Sequence, residues 1–166
     1  MVPELVLIIN NVRSAHNVGA LLRTADGLGV DEVWLTGYTP YPLAKNDRRL
    51  PHLAHKTNRQ IAKTALGAEK SVHWQHADDI MGVITELKRA GYTVAALEQT
   101  AESIKLPAFK PPDRLALLVG REVEGLEAEV LEICDLVLEI PMSGRKESFN
   151  VAAAAAMALY AMRYGN

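Results

Sequence analysis

The sequence predicts an α/β fold in which a mostly parallel sheet is flanked by helices. Two observations carry this. Short apolar runs alternate with stretches of helical spacing along the chain. The opening segment also connects strand, helix and strand with tight turns.

The apolar run 5–9 ends at Asn10 and Asn11 and reads as a buried strand. Residues 17–28 place Leu21, Leu22, Ala25 and Leu28 on one helical face, with Gly27 and Gly29 at its end. A second strand, 32–36, stops at Gly37. Residues 38–51 hold three prolines and the start of a basic cluster, so an exposed loop is expected. A short helix at 57–66 and a short strand at 71–74 follow. Residues 78–90 form an amphipathic helix closed by Gly91, and 92–97 a strand. A proline-rich connector, 108–113, leads to the strongly apolar strand 115–119, which ends at Gly120. Then come a helix at 126–134, a last strand at 136–140 closed by Pro141, and an alanine-rich helix at 149–163. With 166 residues, no repeat and no linker, one domain over 1–166 is expected.

Composition narrows the function classes. The formal net charge of −2 is no nucleic-acid signature, but its distribution is uneven. Lys45, Arg48, Arg49, Lys56, Arg59 and Lys63 cluster in one segment, and acids dominate 122–139. Low aromatic content argues against RNA binding by rows of stacked rings. The single cysteine, Cys134, excludes an internal disulfide and a cysteine-built zinc site, and its apolar register reads as core. No histidine pairs with carboxylates at metal-like spacing, so no metal is expected. No stretch has the length and apolarity of a membrane span, and a cytoplasmic location is expected.

In open α/β sheets ligands bind beyond the carboxyl ends of the strands. Polar residues and glycines gather after four of them: Asn10 to Arg23, Glu98 to Thr100, Gly120 to Gly125, and Pro141 to Asn150. Neither a dinucleotide-binding glycine motif, a P-loop nor a nucleophile elbow is present, so dehydrogenase, kinase and hydrolase chemistry lose support.

Three stretches resemble one family. They are the segment from Asn11 through Asn17, Gly19 and Arg23; the segment Gly120, Glu122, Gly125, Leu126; and the segment Ile140, Pro141, Met142, Gly144, Ser148, Phe149, Asn150. A fourth, Lys63 to Glu69, adds to them. Taken in order and at this spacing, they are similar to the motifs of the SpoU (TrmH-type) RNA methyltransferases of the SPOUT superfamily. The resemblance covers nearly the whole chain and is closest to a minimal catalytic core. It implies a C-terminal trefoil knot, S-adenosylmethionine as cofactor, a homodimer, and methyl transfer to a ribose 2′-hydroxyl of tRNA or rRNA. Ser148-Phe149-Asn150-Val151-Ala152 stands where the family usually has Ser-Leu-Asn-Val-Ser. That reshapes the wall of the cofactor pocket and removes a hydroxyl.

The resemblance also assigns residues. Leu97, Glu98, Gly120, Ile140, Met142 and Phe149 are expected at the cofactor. A side chain at position 120 is expected to crowd a ligand against the strand end. Arg23 is the expected catalytic arginine, with Asn17 on the same helix face. Its high pKa favours holding phosphate and polarising the hydroxyl over acting as a base. Glu122 and Asn150 are expected to orient groups, and Ser148 either acts in catalysis or caps the last helix. Arg13, Arg145 and Lys146 beside these motifs, and Arg48, Arg49 and Lys56 from the basic cluster, are expected on RNA phosphates. The Glu98-Gln99-Thr100 stretch favours tRNA, and a D-loop guanosine within it, over rRNA. A SPOUT-fold protein that binds RNA without turnover, and an enzyme methylating a base, stay open as alternatives.

Overall fold

The computed structural model describes residues 2–165. Its strands are β1 (Glu4–Asn10), β2 (Glu32–Thr36), β3 (Trp74–Ala77), β4 (Thr93–Leu97), β5 (Ile104–Lys105), β6 (Arg114–Val119) and β7 (Leu136–Glu139). They form one seven-stranded sheet in the order β3-β2-β1-β6-β4-β7-β5, with every pairing parallel. This is the expected class.

Both faces of the sheet are covered, which is why the central strands read as unbroken apolar runs. Leu5, Leu7 and Ile9 of β1, with Leu115 and Leu117 of β6, point to one side. Val6, Ile8, Ala116 and Leu118 point to the other, as the two-residue period of a strand requires. The first side is packed by α1 (Ala15–Gly27), α2 (Pro51–Ala65), the short α3 (Ala68–Ser71) and α6 (Val151–Tyr164). The second is packed by α4 (Ile80–Arg89) and α5 (Ala128–Ile133). α1 meets α2 closely at Gly19, where a methyl group would land on the Ile61 carbonyl.

Three expectations shift. α2 begins at Pro51, six residues before the expected helix, because proline is favoured in a first turn that needs no N–H donor. The third strand starts at Trp74 because α3 takes up the residues before it, and the Trp74 indole N–H donates to the Glu69 carbonyl at 3.2 Å. β5 and the 3₁₀ turn Leu106–Ala108 lie mostly before the expected connector 108–113, in a stretch to which no element was assigned, since two residues carry no period. Cys134 is half-buried, and its Sγ donates to the Val130 carbonyl at 3.2 Å. Burial pushes its thiol up to about 11. No helix among the described residues is long and apolar enough to cross a membrane.

Candidate active site

The four strands whose ends gather polar residues are neighbours, in the order β1-β6-β4-β7. The register aligns their carboxyl ends: Ile9 pairs with Val119, Ala96 with Leu118 and Leu97 with Leu138. β1 leads outward to β2 and β3 on one side, and β6 starts the other half, so the sheet changes direction here. A cleft opens at this end. Leu97, Val119, Ile140, Phe149 and Val151 form its apolar walls, and Glu98, Glu122 and Glu124 bring carboxylates to it.

One side of the cleft is held by a chain of hydrogen bonds through all three motifs. Glu122 Oε1 accepts from the Asn17 side-chain amide at 3.3 Å and from the Ser14 N–H at 3.1 Å. Glu122 Oε2 accepts from the Arg13 N–H at 3.4 Å. Asn17 Oδ1 in turn accepts from Asn150 Nδ2 at 3.2 Å. Asn150 Oδ1 accepts from the N–H groups of Ala152 and Ala153 at 3.0 and 3.3 Å, capping α6. The last link is local chemistry, and the first two join residues far apart in sequence. Burial opposes the Glu122 charge, but the N–H of Ser14, its own N–H, the Asn17 amide and the Arg13 N–H outweigh burial together and lower its pKa.

Glu98 plays a similar part across the cleft. Its carboxylate accepts from the Gln99 N–H at 3.0 Å and the Leu126 N–H at 3.2 Å. It lies directly over Gly125, whose φ of +69° and lack of a side chain both suit a glycine. Gly120 has a different reason. A Cβ there would sit 2.8 Å from Leu126 Cγ and 3.0 Å from the Gly125 carbonyl carbon. The crowding expected with a ligand is therefore crowding within the protein.

Of the expected site residues, Leu97, Glu98, Gly120, Glu122, Ile140, Ser148 and Phe149 line the cleft. Asn17 and Asn150 brace it. Ser148 does not cap the last helix, because Asn150 does. Met142 is half-buried outside the cleft lining, since the chain leaves the wall after Ile140 and returns at Ser148. Arg23 is exposed and does not line the cleft of its own chain. It does not share a face with Asn17 either: six residues along a helix is about 9 Å of rise and about 120° of rotation.

The expected phosphate contacts divide. Arg48, Lys56, Arg145 and Lys146 are exposed. On α2, Lys56 shares the outward face with His52, Arg59 and Lys63. Arg13 is also exposed, with its guanidinium 3.9 Å from Glu124. Arg49 is not available to RNA. Its Nε donates to Asp47 at 2.8 Å, its Nη1 and Nη2 donate to the carbonyls of Tyr41 and Pro42 at 2.9 Å, and its guanidinium covers the Tyr41 ring at 3.7 Å. The same contact holds the Asp47 carboxyl well below the usual range. Sequence reasoning missed Val151 and Ala154 as wall residues. Their spacing of three on a small-residue helix was the available signal.

The chain matches the SpoU rRNA methylase family model over residues 4–160. The chain belongs to this family. A 23S rRNA (guanosine-2′-O-)-methyltransferase, RlmB, of Neisseria meningitidis serogroup B is 32% identical over 157 residues. That match covers 95% of this chain and 57% of the relative, so the chain spans little more than half the curated protein. The AdoMet-bound rRNA methyltransferase of Sinorhizobium meliloti superposes with a TM-score of 0.79 at 25% identity, over 98% of this chain and 57% of that one. A solved structure concerned with 2-OH methylation of C/U34 on tRNA gives 0.75 at 25% identity, over 96% of this chain and 94% of that one. The SpoU resemblance and the SPOUT fold class stand.

The lining suits the cofactor of such enzymes. The apolar walls match a flat adenine, and Glu98, Glu122 and Glu124 match a cationic, hydroxyl-bearing ligand.

Proposed function

We propose that this SpoU-family chain is an S-adenosylmethionine-dependent RNA methyltransferase acting on a ribose 2′-hydroxyl. The observation that carries the reading is the Glu122–Asn17–Asn150 chain of hydrogen bonds, which ties the three motifs to one cleft. Leu97, Ile140 and Phe149 would hold the cofactor's apolar parts, with Glu98 beside its polar ones. When bound, it supplies an electrophilic methyl group on a cationic sulfur. Glu122, Asn17 and Asn150 keep the wall rigid, so that the acceptor ribose meets a fixed geometry and positioning carries much of the rate. Arg23 holds the RNA phosphate and polarises the hydroxyl.

The proposal includes a homodimer. Arg23 stands outside its own cleft, so a second copy is the natural source of that arginine. α6 offers a surface for such a contact: Met157, Tyr160 and Tyr164 are 37%, 61% and 60% exposed along one stripe. The trefoil knot belongs to the same reading. It is supported by β7 inserting between β4 and β5 and by α6 returning against α1 and β6. We favour tRNA over rRNA, in one domain spanning 1–166 with no resident metal and a cytoplasmic location. The Glu98-Gln99-Thr100 stretch supports tRNA, and a solved structure concerned with 2-OH methylation on tRNA shares the fold.

Incubation with methyl-tritiated S-adenosylmethionine and unmodified tRNA and rRNA, followed by nucleoside mass spectrometry, tests this. A 2′-O-methylated nucleoside is expected. Label on a base, or no label with a folded protein that binds RNA, overturns it. Mixing Arg23→Ala and Asn150→Asp subunits is expected to restore part of the activity in heterodimers if Arg23 acts across the interface.

A further inference from the structure

Beside the cleft, on the far side of the Arg13–Ser14 backbone, lies a second groove. Arg13, Ser14 and His16 form one wall, Pro40 another, and Thr57 and Gln60 of α2 the third. The two depressions share a wall, because Glu122, which lines the cleft, accepts the N–H groups of Arg13 and Ser14. The exposed basic face of α2 borders the groove.

Next to Arg13, which lines the groove, stands Tyr38, 51% exposed in a chain with few aromatics. Its surroundings are tied down. The Tyr38 N–H donates to Asn11 Oδ1 at 3.1 Å, and Asn11 holds a φ of +55°, a region that costs a non-glycine residue energy. The neighbouring Thr39 is buried, its one hydroxyl proton lies within reach of the Thr36 and Ile9 carbonyls at 2.7 and 3.0 Å, and its oxygen accepts from the Val12 N–H at 3.2 Å. Gly37, with a φ of +64°, faces the Asn11 side chain where a Cβ would collide. A rigid, partly strained turn thus projects a ring into solvent, with the Arg13 guanidinium 5.8 Å from its centroid.

An exposed ring beside a planar cation matches a nucleobase and its phosphate. We infer that Tyr38 and Arg13 form a subsite for an unpaired nucleotide flanking the one methylated, with the base stacked on Tyr38 and the phosphate on Arg13. This deepens the proposed function and rests on RNA being the substrate.

The test uses unmodified tRNA transcripts as the probe, with steady-state methyl transfer, filter binding and thermal melts on the full chain. Tyr38→Ala is expected to raise the KM and the Kd for transcript about 5- to 100-fold. The kcat, the affinity for S-adenosylmethionine and the melting temperature stay at wild-type values, and Tyr38→Phe behaves as wild type. Arg13→Gln lowers the slope of log affinity against log salt by about 0.7, one phosphate on a single strand. A Tyr38→Ala variant that binds transcript as wild type does, or a Tyr38→Phe variant as impaired as Tyr38→Ala, overturns the subsite. If wild-type protein binds transcript but transfers no methyl group, the enzyme reading fails, and the binding comparison still decides the subsite. If it binds no RNA, both fall.

Discussion

The Asn17 side-chain amide donates to Glu122 at 3.3 Å across 105 residues of sequence. The same amide accepts from Asn150, another 28 residues beyond Glu122. Neither contact stabilises a helix or strand on its own. Together they hold three loops in register beside one cleft.

The charge of Glu122 makes that brace sensitive to acid. Its folded pKa is depressed below the ordinary value of 4.5. A depressed carboxyl contributes stability that is fully present above the unfolded pKa and is lost as pH falls through the folded one. The gap in melting temperature between wild type and Glu122→Gln is therefore expected to be constant above about pH 5 and to close below it. Melts from pH 7 to pH 3 check this, and a gap as wide at pH 3 as at pH 7 contradicts it.

Asn150 has two duties that substitutions separate. Asn150→Ala removes the cap of α6 and is expected to cost about 0.5–2 kcal/mol. Asn150→Asp keeps the acceptor that caps the helix but cannot donate to Asn17. It is expected to hold near wild-type stability while methyl transfer falls about tenfold or more, the scale of one lost hydrogen bond. Denaturant titration and labelled-methyl assays read the two effects.

Arg23 is exposed, so Arg23→Ala is expected to change stability by no more than about 0.5 kcal/mol. Methyl transfer is expected to fall about 10²-fold or more, as when one preorganised donor is lost. Near-wild-type turnover in a folded variant removes Arg23 from the mechanism.

Gly120 tests packing against ligand contact. Gly120→Ala is expected to destabilise by about 1–3 kcal/mol, because its methyl meets Leu126. Adding Leu126→Ala is expected to cost less than the two single changes summed. Calorimetry on the double variant then reports whether S-adenosylmethionine still binds, as expected if the glycine serves the fold.

The basic face of α2 is expected to track the RNA backbone. Neutralising Lys56, Arg59 and Lys63 to glutamine is expected to lower the salt slope of RNA binding by about 2. Arg49→Ala is expected to leave the slope alone and lower the melting temperature, because its donors staple the 41–49 loop.

Much of this was legible in the sequence. Apolar runs marked the strands, and the polar residues behind four of them marked the site. That those four strands lie side by side follows from a strand order that no local pattern encodes. Arg49 shows the limit for charge. Its position in a basic cluster suggested phosphate, but its partner Asp47 was only two residues away and decided the matter through geometry. Gly120 shows the limit for packing, since its reason is a leucine six residues on. Met142 lies outside the cleft lining because the path of the loop after Ile140 is settled in three dimensions, whereas the different faces of Asn17 and Arg23 follow from their spacing of six.

Asn150 closes the bracing chain, and it sits near the end of the sequence, at the entrance to the final helix. A polypeptide still being synthesised can hold most of the sheet before that residue emerges. Until then Glu122 already ties the first two loops together, and only the third side of the brace is open. The third side of the brace therefore joins the segment after the first strand to a helix that follows every strand of the sheet.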